Sequence, residues 1–216
     1  ELARMIDWQK TQMNALDVAV HLNSEITAER VAEIDPDVII MATGSHPHRV
    51  PIAGADDSPV KIMTVNEVIL NETPNIKRAV VWDECGGQEG VSAAEVLVDR
   101  GIEVEIVTPA MQVGEHVNLT MRIPMYKRLL SRGTTFTSNS KVARLDGNNV
   151  VVSNIYSEHE SMINNVDLLV ASLGSRVSDG LRSALEGQRG ELHLVGDCLS
   201  PRLVISPSVF SIAPPP

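Results

Sequence analysis

Residues 79–108 constrain the fold of this chain more than any other stretch. They begin with the β-branched run AVVW, pass through a turn crowded with glycines, and change to a helical period from Val91 onward. A second strand is expected at 102–107, after the helix-ending Gly101. Strand, glycine turn, helix and strand in this order make a βαβ unit, which predicts a parallel sheet and a Rossmann-like fold.

The glycines of this turn are candidate phosphate ligands. Gly86, Gly87 and Gly90 stand where a dinucleotide fold brings backbone N–H groups to a pyrophosphate at the positive end of a helix. The pattern fits only in part, because Cys85 occupies the first glycine position and follows two carboxylates at 83–84. Carboxylates oppose a bound anion. The turn therefore predicts the fold more strongly than it predicts nicotinamide binding, and its glycines could instead serve strand–helix packing.

Composition narrows the class of protein. Of the 216 residues, 43% are apolar, which suffices for a core, and the net charge of −10 argues against nucleic acid or an anionic membrane as partner. No apolar run approaches the ~20 residues of a membrane span. Cys85 and Cys198 form neither a CxxC pair nor a zinc spacing, so we expect a reducing, cytoplasmic setting.

Apolar periodicity predicts further elements around the central unit. Helices are expected at 1–16, at 27–31 with Asn23 or Ser24 as cap, at 64–70, and at 118–132 with Pro124 near its start. Strands are expected at 17–22, 37–43, 134–138, 141–145, 150–156, 161–165, 167–172 and 191–195. The strands on either side of the Asp-Gly-Asn-Asn turn predict a β meander.

Two segments echo each other, DVIIMATGS at 37–45 and DLLVASLGS at 167–175. Together with the central βαβ unit and the late GDC at 196–198, they follow the order of a flavoprotein with two dinucleotide-binding domains. The chain begins within a helical pattern, without an initiator Met. We therefore expect a fragment of a longer protein, with 205–216 as an irregular tail.

Three motifs carry a closer resemblance: ELARMIDW at 1–8, the acidic turn DECGGQEG at 83–90, and GDCLSPR at 196–202. Over roughly residues 1–204 the chain resembles the C-terminal nucleotide-binding region of the trimethylamine dehydrogenase and 2,4-dienoyl-CoA reductase (NADH:flavin oxidoreductase) family, within the pyridine-nucleotide disulfide oxidoreductase superfamily. The resemblance implies an α/β, Rossmann-like FAD/NAD(P)-binding fold with a parallel sheet plus a β meander and one nucleotide domain incomplete.

The resemblance also implies a division into domains. Residues 1–76 and 166–204 would form a partial FAD/ADP-binding-type domain, and 77–165 an inserted NAD(P)-binding-like Rossmann domain. In that family an N-terminal barrel carries FMN and a 4Fe–4S cluster and performs the substrate chemistry, and it would be absent here. The expected partners are that barrel or an electron-transfer protein, with a homo-oligomer as an open alternative.

Site residues follow from the same resemblance. Thr43 and Gly44 match the ATG motif that ends a strand against the flavin, and Gly174 follows the echoing strand. Gly196 and Asp197 match the late Gly-Asp motif, whose aspartate accepts hydrogen bonds from a ribityl or ribose hydroxyl. Each of these motifs could also be a simple turn or cap after a strand.

Thr108 ends the second strand of the βαβ unit, where an acidic residue would hold a 2′-hydroxyl and an arginine a 2′-phosphate. Threonine does not choose between NADH and NADPH. Cys85 at a helix N-terminus is a candidate reactive thiol, although its acidic neighbours favour an inert one. His46 and His48 have no companion at ligand spacing, so no metal site is predicted.

The sequence leaves two possible functions open. The first is the C-terminal fragment of an FMN/iron–sulfur flavin oxidoreductase that supplies dinucleotide binding (FAD or ADP, NAD(P)) for electron transfer. It would have no catalytic residue of its own, because the sequence offers no Ser/His/Asp or paired-carboxylate constellation. The second is a non-catalytic ADP-binding or docking module whose nucleotide site has degenerated. For the inserted domain, the acidic turn at 83–84 favours the second.

Overall fold

The computed structural model describes residues 2–186 and 191–201. The expected tail at 205–216, and Arg202 at the end of the GDCLSPR motif, lie outside the described residues. The described chain divides into two compact units, a smaller one of residues 2–40, 179–186 and 191–193 and a larger one of residues 41–178 and 194–201.

The described residues contain six α-helices: α1 (Leu2–Ala15), α2 (Ala28–Ile34), α3 (Val65–Leu70), α4 (Gln88–Asp99), α5 (Leu119–Leu130) and α6 (Gly180–Leu185). The strands are β1 (Val38–Met41), β2 (Ser45–Pro47), β3 (Lys61–Thr64), β4 (Arg78–Asp83), β5 (Glu103–Val107), β6 (Thr135–Thr137), β7 (Ser140–Asp146), β8 (Asn149–Asn154), β9 (Glu160–Ile163), β10 (Leu168–Ser172), β11 (Ser175–Val177) and β12 (Glu191–Leu194). A short 3₁₀-helix covers Gly196–Cys198.

The larger unit is built on a five-stranded parallel sheet with the order β3-β10-β4-β5-β6. Its centre is β4, where Val80 pairs with Leu169 of β10 on one side and with Glu105 of β5 on the other. The sheet takes strands from inside and outside residues 77–165. Because β5 and β6 continue to one side of β4 while β10 and β3 lie on the other, the strand order reverses between β4 and β10.

Two apolar layers cover the sheet. Alternate side chains of β4 point to opposite faces: Ala79 and Val81 pack in the cluster that contains the residues of α3, α4 and α5, whereas Val80 packs against the antiparallel meander β7-β8-β9. All three residues are fully buried. Helices, parallel sheet and meander thus form three layers, and the predicted α/β Rossmann-like fold with a β meander is confirmed.

The smaller unit contains α1, α2 and α6, and α2 contacts α6. Strands β1 and β12 pair in a two-stranded sheet, with the N–H of Glu191 donating to the carbonyl of Asp37 at 3.0 Å. At the end of the same pair, the N–H of Val195 donates to the carbonyl of Met41 at 3.0 Å. This pairing brings the chain after β1 and the chain after β12 to the same end of the two strands.

Local signals explain where the helices begin. Thr64 starts α3 with a reciprocal capping box: its hydroxyl accepts the Glu67 N–H at 3.3 Å, and its own N–H donates to the Glu67 carboxylate at 2.8 Å. Thr27 caps α2, so the prediction of Asn23 or Ser24 as its cap is wrong.

Three other predictions need correction. The stretch 17–22 is irregular rather than a strand, with turn residues only at its two ends, and Asp17 adopts a left-handed conformation just after α1. Pro124 lies inside α5 rather than near its start, because Asn118 caps a helix that begins five residues earlier at Leu119. The short strands β2, β3 and β11 and the helix α6 lie in segments predicted as loops or left unassigned, since elements this short carry little periodicity.

Candidate nucleotide site

The point where the strand order reverses lies at the carboxyl ends of β4 and β10. Open α/β sheets bind ligands at such a switch point. Here the turn Asp83–Gly87 meets the end of β10, and the N–H of Glu84 donates to the carbonyl of Ser172 at 3.0 Å. A small crevice opens beside this junction, and Glu89, Ser172 and Gly174 are among the residues that line it.

The buried Asp83 side chain accepts hydrogen bonds from the turn that follows it. Its side chain is fully buried, and Oδ1 accepts hydrogen bonds from the N–H groups of Cys85 at 3.2 Å and Gly86 at 3.1 Å, and from the Ser172 hydroxyl at 3.3 Å. No hydrogen-bond partner reaches the buried Oδ2 within the part of the chain that the structure describes. The carboxyl group that the sequence places at the edge of the phosphate site is therefore an internal part of the turn.

The electrostatic environment of Asp83 is unfavourable to its charge. Burial raises the pKa of the Asp83 carboxyl above its usual range, and the nearby carboxylate of Glu89 adds to this rise. The N–H groups of Cys85 and Gly86 and the Ser172 hydroxyl act in the opposite direction but do not outweigh burial. The turn thus holds carboxyl groups, Asp83 and Glu89 among them, where a pyrophosphate would need positive charge.

The three turn glycines have different roles. Gly86 is buried with a φ of +60°, which favours glycine, and its carbonyl accepts the His116 N–H at 2.9 Å. Gly87 is the N-cap of α4, and a Cβ there would meet nothing within 4 Å. At Gly90 a Cβ would lie 2.8 Å from Cγ of Asp83. Gly90 therefore serves close strand–helix packing, and only Gly87 faces open space at the helix start.

Cys85 lies in the loop between β4 and α4, and a Cβ at Gly174, just after β10, would come within 3.3 Å of its sulfur. Burial, followed by the charges of Asp83, Glu89 and Glu84, raises the pKa of the Cys85 thiol. The arrangement favours an inert, protonated thiol over the reactive one considered from the sequence.

Thr108 does not present a side chain to a ribose. It is fully buried at the end of β5, and its hydroxyl accepts the Ala110 N–H at 3.3 Å. Its own N–H donates to the carbonyl of Thr137 at 3.0 Å. The hydroxyl is thus engaged in the turn that follows the strand, which agrees with the absence of an acidic or basic side chain at this position.

The other predicted site residues come together in a second place in the larger unit. Thr43 and Gly44 follow β1, and Gly196 and Asp197 follow β12. The hydroxyl of Ser45 donates to Oδ2 of Asp197 at 3.2 Å and so joins the two segments across 152 positions of sequence. Sequence reasoning did not single out Ser45, although it belongs to the echoed ATGS segment.

This second cluster has room for a ligand. Gly44 and Gly196 have φ values of +74° and +67°, and a Cβ on either would meet nothing within 4 Å. Thr43 and Asp197 are exposed. Two open glycines beside an exposed carboxylate fit an adenine nucleotide or flavin, whose phosphates approach the backbone closely and whose ribose or ribityl hydroxyls donate to a carboxylate. The acidic β4–α4 turn does not fit a nicotinamide dinucleotide in this way.

Across residues 2–186 and 191–201, no group of three or more His, Cys, Asp and Glu side chains could hold a metal ion. No helix in the same described ranges is long and apolar enough to cross a bilayer.

The fold and the two clusters define a Rossmann-like nucleotide-binding protein. Residues 3–196 match the family described as pyridine nucleotide-disulphide oxidoreductase, and the chain belongs to this family. The resemblance inferred from the sequence is thereby confirmed, and the family is one of flavoprotein oxidoreductases.

Two of the proteins that resemble this chain are a demethylase and a dehydrogenase. A probable N-methylproline demethylase of Rhizobium meliloti is 26% identical over 160 residues, which are 74% of this chain and 23% of that protein. The N,N-dimethylglycine/sarcosine dehydrogenase of Chromohalobacter salexigens is 27% identical over 197 residues, 87% of this chain and 28% of that protein. Reductases also occur among the relatives.

The solved structure of histamine dehydrogenase from Rhizobium sp. 4-9 shares the fold, with a TM-score of 0.81 and 22% identity over 93% of this chain and 33% of that one. The chain therefore spans about a quarter to a third of the length of the proteins it matches.

Proposed function

We propose that this chain is the nucleotide-fold region of a larger flavin-dependent oxidoreductase of the amine dehydrogenase kind. In this proposal the segments Thr43–Gly44 and Gly196–Asp197 hold the adenine nucleotide part of FAD, or ADP itself. The observation that carries the proposal is the Ser45–Asp197 hydrogen bond, which places an exposed carboxylate beside two open, left-handed glycines. Family membership supports the same cofactor class.

Each group in the proposed site has a definite task. The open backbone at Gly44 and Gly196 lets phosphate or ribose atoms approach without meeting a Cβ. Asp197 accepts a hydrogen bond from a ribose or ribityl hydroxyl, and the Ser45 hydroxyl orients that carboxylate. A flavin bound here would supply electron transfer, while the chain's own residues bind and position it.

The remainder of the proposed enzyme lies outside this chain. The resemblance to the trimethylamine dehydrogenase family implies FMN, a 4Fe–4S cluster and substrate chemistry in a further N-terminal barrel domain. The fraction of its relatives that the chain covers supports this division. We further propose that the chain divides into a FAD/ADP-type part (1–76 and 166–204) and an inserted part (77–165). Its two free cysteines suggest a cytoplasmic setting, which we also propose.

The visible spectrum of the purified chain and a titration with FAD test the proposal. We expect FAD fluorescence to change saturably at one equivalent of chain. Asp197→Ala should weaken FAD binding by at least about tenfold, as expected for the loss of a charged hydrogen bond. Ser45→Ala is the matched control, because it removes the hydrogen bond to Asp197 but leaves the carboxylate, and its effect should be less than about threefold.

The alternative is a module that binds ADP or no nucleotide and serves as a docking surface for the barrel or an electron acceptor. The charged, closed turn at Asp83 favours this alternative for the β4–α4 region. Failure of both FAD and ADP to bind would support a docking module and contradict the proposed nucleotide site.

A further inference from the structure

We infer that Asp83 is a built-in anion that excludes dinucleotide phosphates from the β4–α4 turn. The turn has a Rossmann-like backbone, yet by this inference it selects against NADH and NADPH. The inference concerns a different place from the Gly44–Asp197 cluster and does not depend on the proposed function. It assigns a specificity-determining role to a residue that otherwise would be regarded as a buried turn cap.

The backbone N–H donors of the turn are already used within the protein. In a dinucleotide site, backbone N–H groups between the strand and the helix turn toward the pyrophosphate. Here the N–H groups of Cys85 and Gly86 donate to Oδ1 of Asp83 at 3.2 and 3.1 Å. The Asp83 carboxyl therefore takes the hydrogen bonds that a phosphate would accept, and the donors face the protein interior.

The Asp83 carboxyl group lies close to the first turn of α4. Its Cγ would lie only 2.8 Å from a Cβ at Gly90, which is the third residue of α4. The group thus sits under the first helical turn, close to the place where a bound anion would gain from the helix dipole. Because Asp83 is fully buried, water screens its field only weakly on the way to that place.

Further carboxyl groups lie beside the turn. Glu84 and Glu89 are exposed there, and the Glu84 carboxylate accepts the indole N–H of Trp82 at 2.6 Å. The Nδ1–H of His116 donates to the carbonyl of Cys85 at 2.8 Å, so this hydrogen bond is used within the turn. A diphosphate entering the turn thus meets the carboxyl groups of Asp83, Glu84 and Glu89, which repel it.

NADH binding to the purified chain, followed by nicotinamide fluorescence and calorimetry, tests the inference. We expect the wild-type chain to show no saturation at this turn up to about 1 mM NADH. Asp83→Ala should bind NADH at least about tenfold more tightly, because it removes the charge and releases the two N–H groups. Asp83→Asn removes the charge but keeps the acceptor, so a smaller gain is expected.

Two controls locate the gained binding. Asp99→Ala removes a carboxylate from the last residue of the same helix and should leave NADH affinity unchanged. Gly87→Asp, added to Asp83→Ala, places a new carboxylate in the open space at the helix start and should reverse the gain. The gain should persist when Asp197→Ala is added, so failure of the other nucleotide site would not disturb this test.

The inference is overturned if folded Asp83→Ala binds NADH within twofold of the wild type. It is also overturned if the wild-type chain already binds NADH and Gly87→Asp abolishes that binding. If circular dichroism shows that Asp83→Ala does not fold, Asp83→Asn decides: an affinity within twofold of the wild type would then overturn the inference.

Discussion

The Cγ atom of Asp83 would lie only 2.8 Å from a Cβ on Gly90. The end of β4 and the first turn of α4 are therefore in contact through the Asp83 carboxyl group and the backbone of Gly90. Real Cβ atoms do not approach another carbon this closely, and Asp83 cannot move away without breaking its three hydrogen bonds. Strand–helix packing and the charge of the turn are therefore linked at one contact.

This contact predicts the effect of a methyl group at position 90. Gly90→Ala should lower the free energy of unfolding by about 1 to 3 kcal/mol, because overpacking outweighs the better helix propensity of alanine. Urea denaturation measures the change. Gly180→Ala is the control, since a Cβ at that helix start meets nothing within 4 Å, and its effect should be neutral or stabilising. Equal effects at the two positions would contradict the close contact.

Asp83 also predicts a pH dependence of stability. Burial, with Glu89 adding to it, raises the pKa of this carboxyl in the folded chain above the unfolded value of about 3.9. The folded state thus holds the proton more tightly, and the stability that this provides is lost as pH rises through the folded pKa. Asp83→Asn cannot titrate, so it should gain stability over the wild type by about 1 kcal/mol at pH 7.

Unfolding of both proteins in urea between pH 4 and pH 8 checks this prediction. The stability that Asp83→Asn gains over the wild type should be absent at the lowest pH of this range and should increase as pH rises. An advantage that does not change with pH, or a loss of stability at pH 7, would show that the carboxylate is better accommodated than its surroundings indicate.

Asp167 predicts the opposite pH dependence. Its carboxylate accepts the N–H groups of Lys77 at 2.8 Å and Arg78 at 3.0 Å, and these bonds, Arg78 first, hold its pKa below the usual range. Asp167→Ala should cost about 1 to 2 kcal/mol at pH 7, because it releases the start of β4 from the start of β10. The stability is present above the unfolded pKa and is lost as pH falls through the folded one.

Equilibrium unfolding of Asp167→Ala and of the wild type at pH 7 and pH 3 measures this effect. The difference in free energy of unfolding between the two proteins should be smaller at pH 3 than at pH 7. Asp57→Ala, in an exposed loop, should change stability by less than about 0.5 kcal/mol at pH 7. A gap that widens at pH 3 would contradict the assigned bonds.

The two cysteines predict slow thiol chemistry. Burial and three carboxyl groups raise the pKa of Cys85, and the buried Cys198 donates its S–H to the carbonyl of Met41 at 2.9 Å. Alkylation by iodoacetamide at pH 7.5, followed by mass spectrometry, should be several-fold slower at Cys85 in the folded chain than in the denatured chain. Faster labelling of Cys85 in the folded chain than in the denatured chain would show that Cys85 is a reactive thiol.

Much of the fold could be predicted because long apolar runs carry it. The strands β4, β5 and β10 and the helix α4 were visible from β-branched runs and helical period. The strand predicted at 17–22 was wrong, because apolar residues alone do not show whether a neighbouring strand exists to pair with them. The three-residue strands β2 and β11 form through their mutual pairing, which a single-sequence pattern does not record.

The candidate sites were predicted unevenly for a physical reason. The segments at Thr43 and Asp197 were found as motifs, but their closeness depends on the pairing of β1 with β12 and on Ser45. At the β4–α4 turn the sequence showed two acidic residues before the glycines, yet not that Asp83 points inward while Glu84 is exposed. Which side chain turns inward depends on the strand register.

Calorimetric titration with ADP of the wild-type chain, beside Asp197→Ala and Ser45→Ala, tests the central claim most directly. We predict one ADP per chain for the wild type and affinity reduced at least about tenfold by Asp197→Ala. Ser45→Ala removes only the hydrogen bond that orients the carboxylate, so it should reduce affinity by less than about threefold. If ADP fails to bind the folded wild-type chain, or binds equally well after Asp197→Ala, the nucleotide site at Gly44 and Asp197 is contradicted.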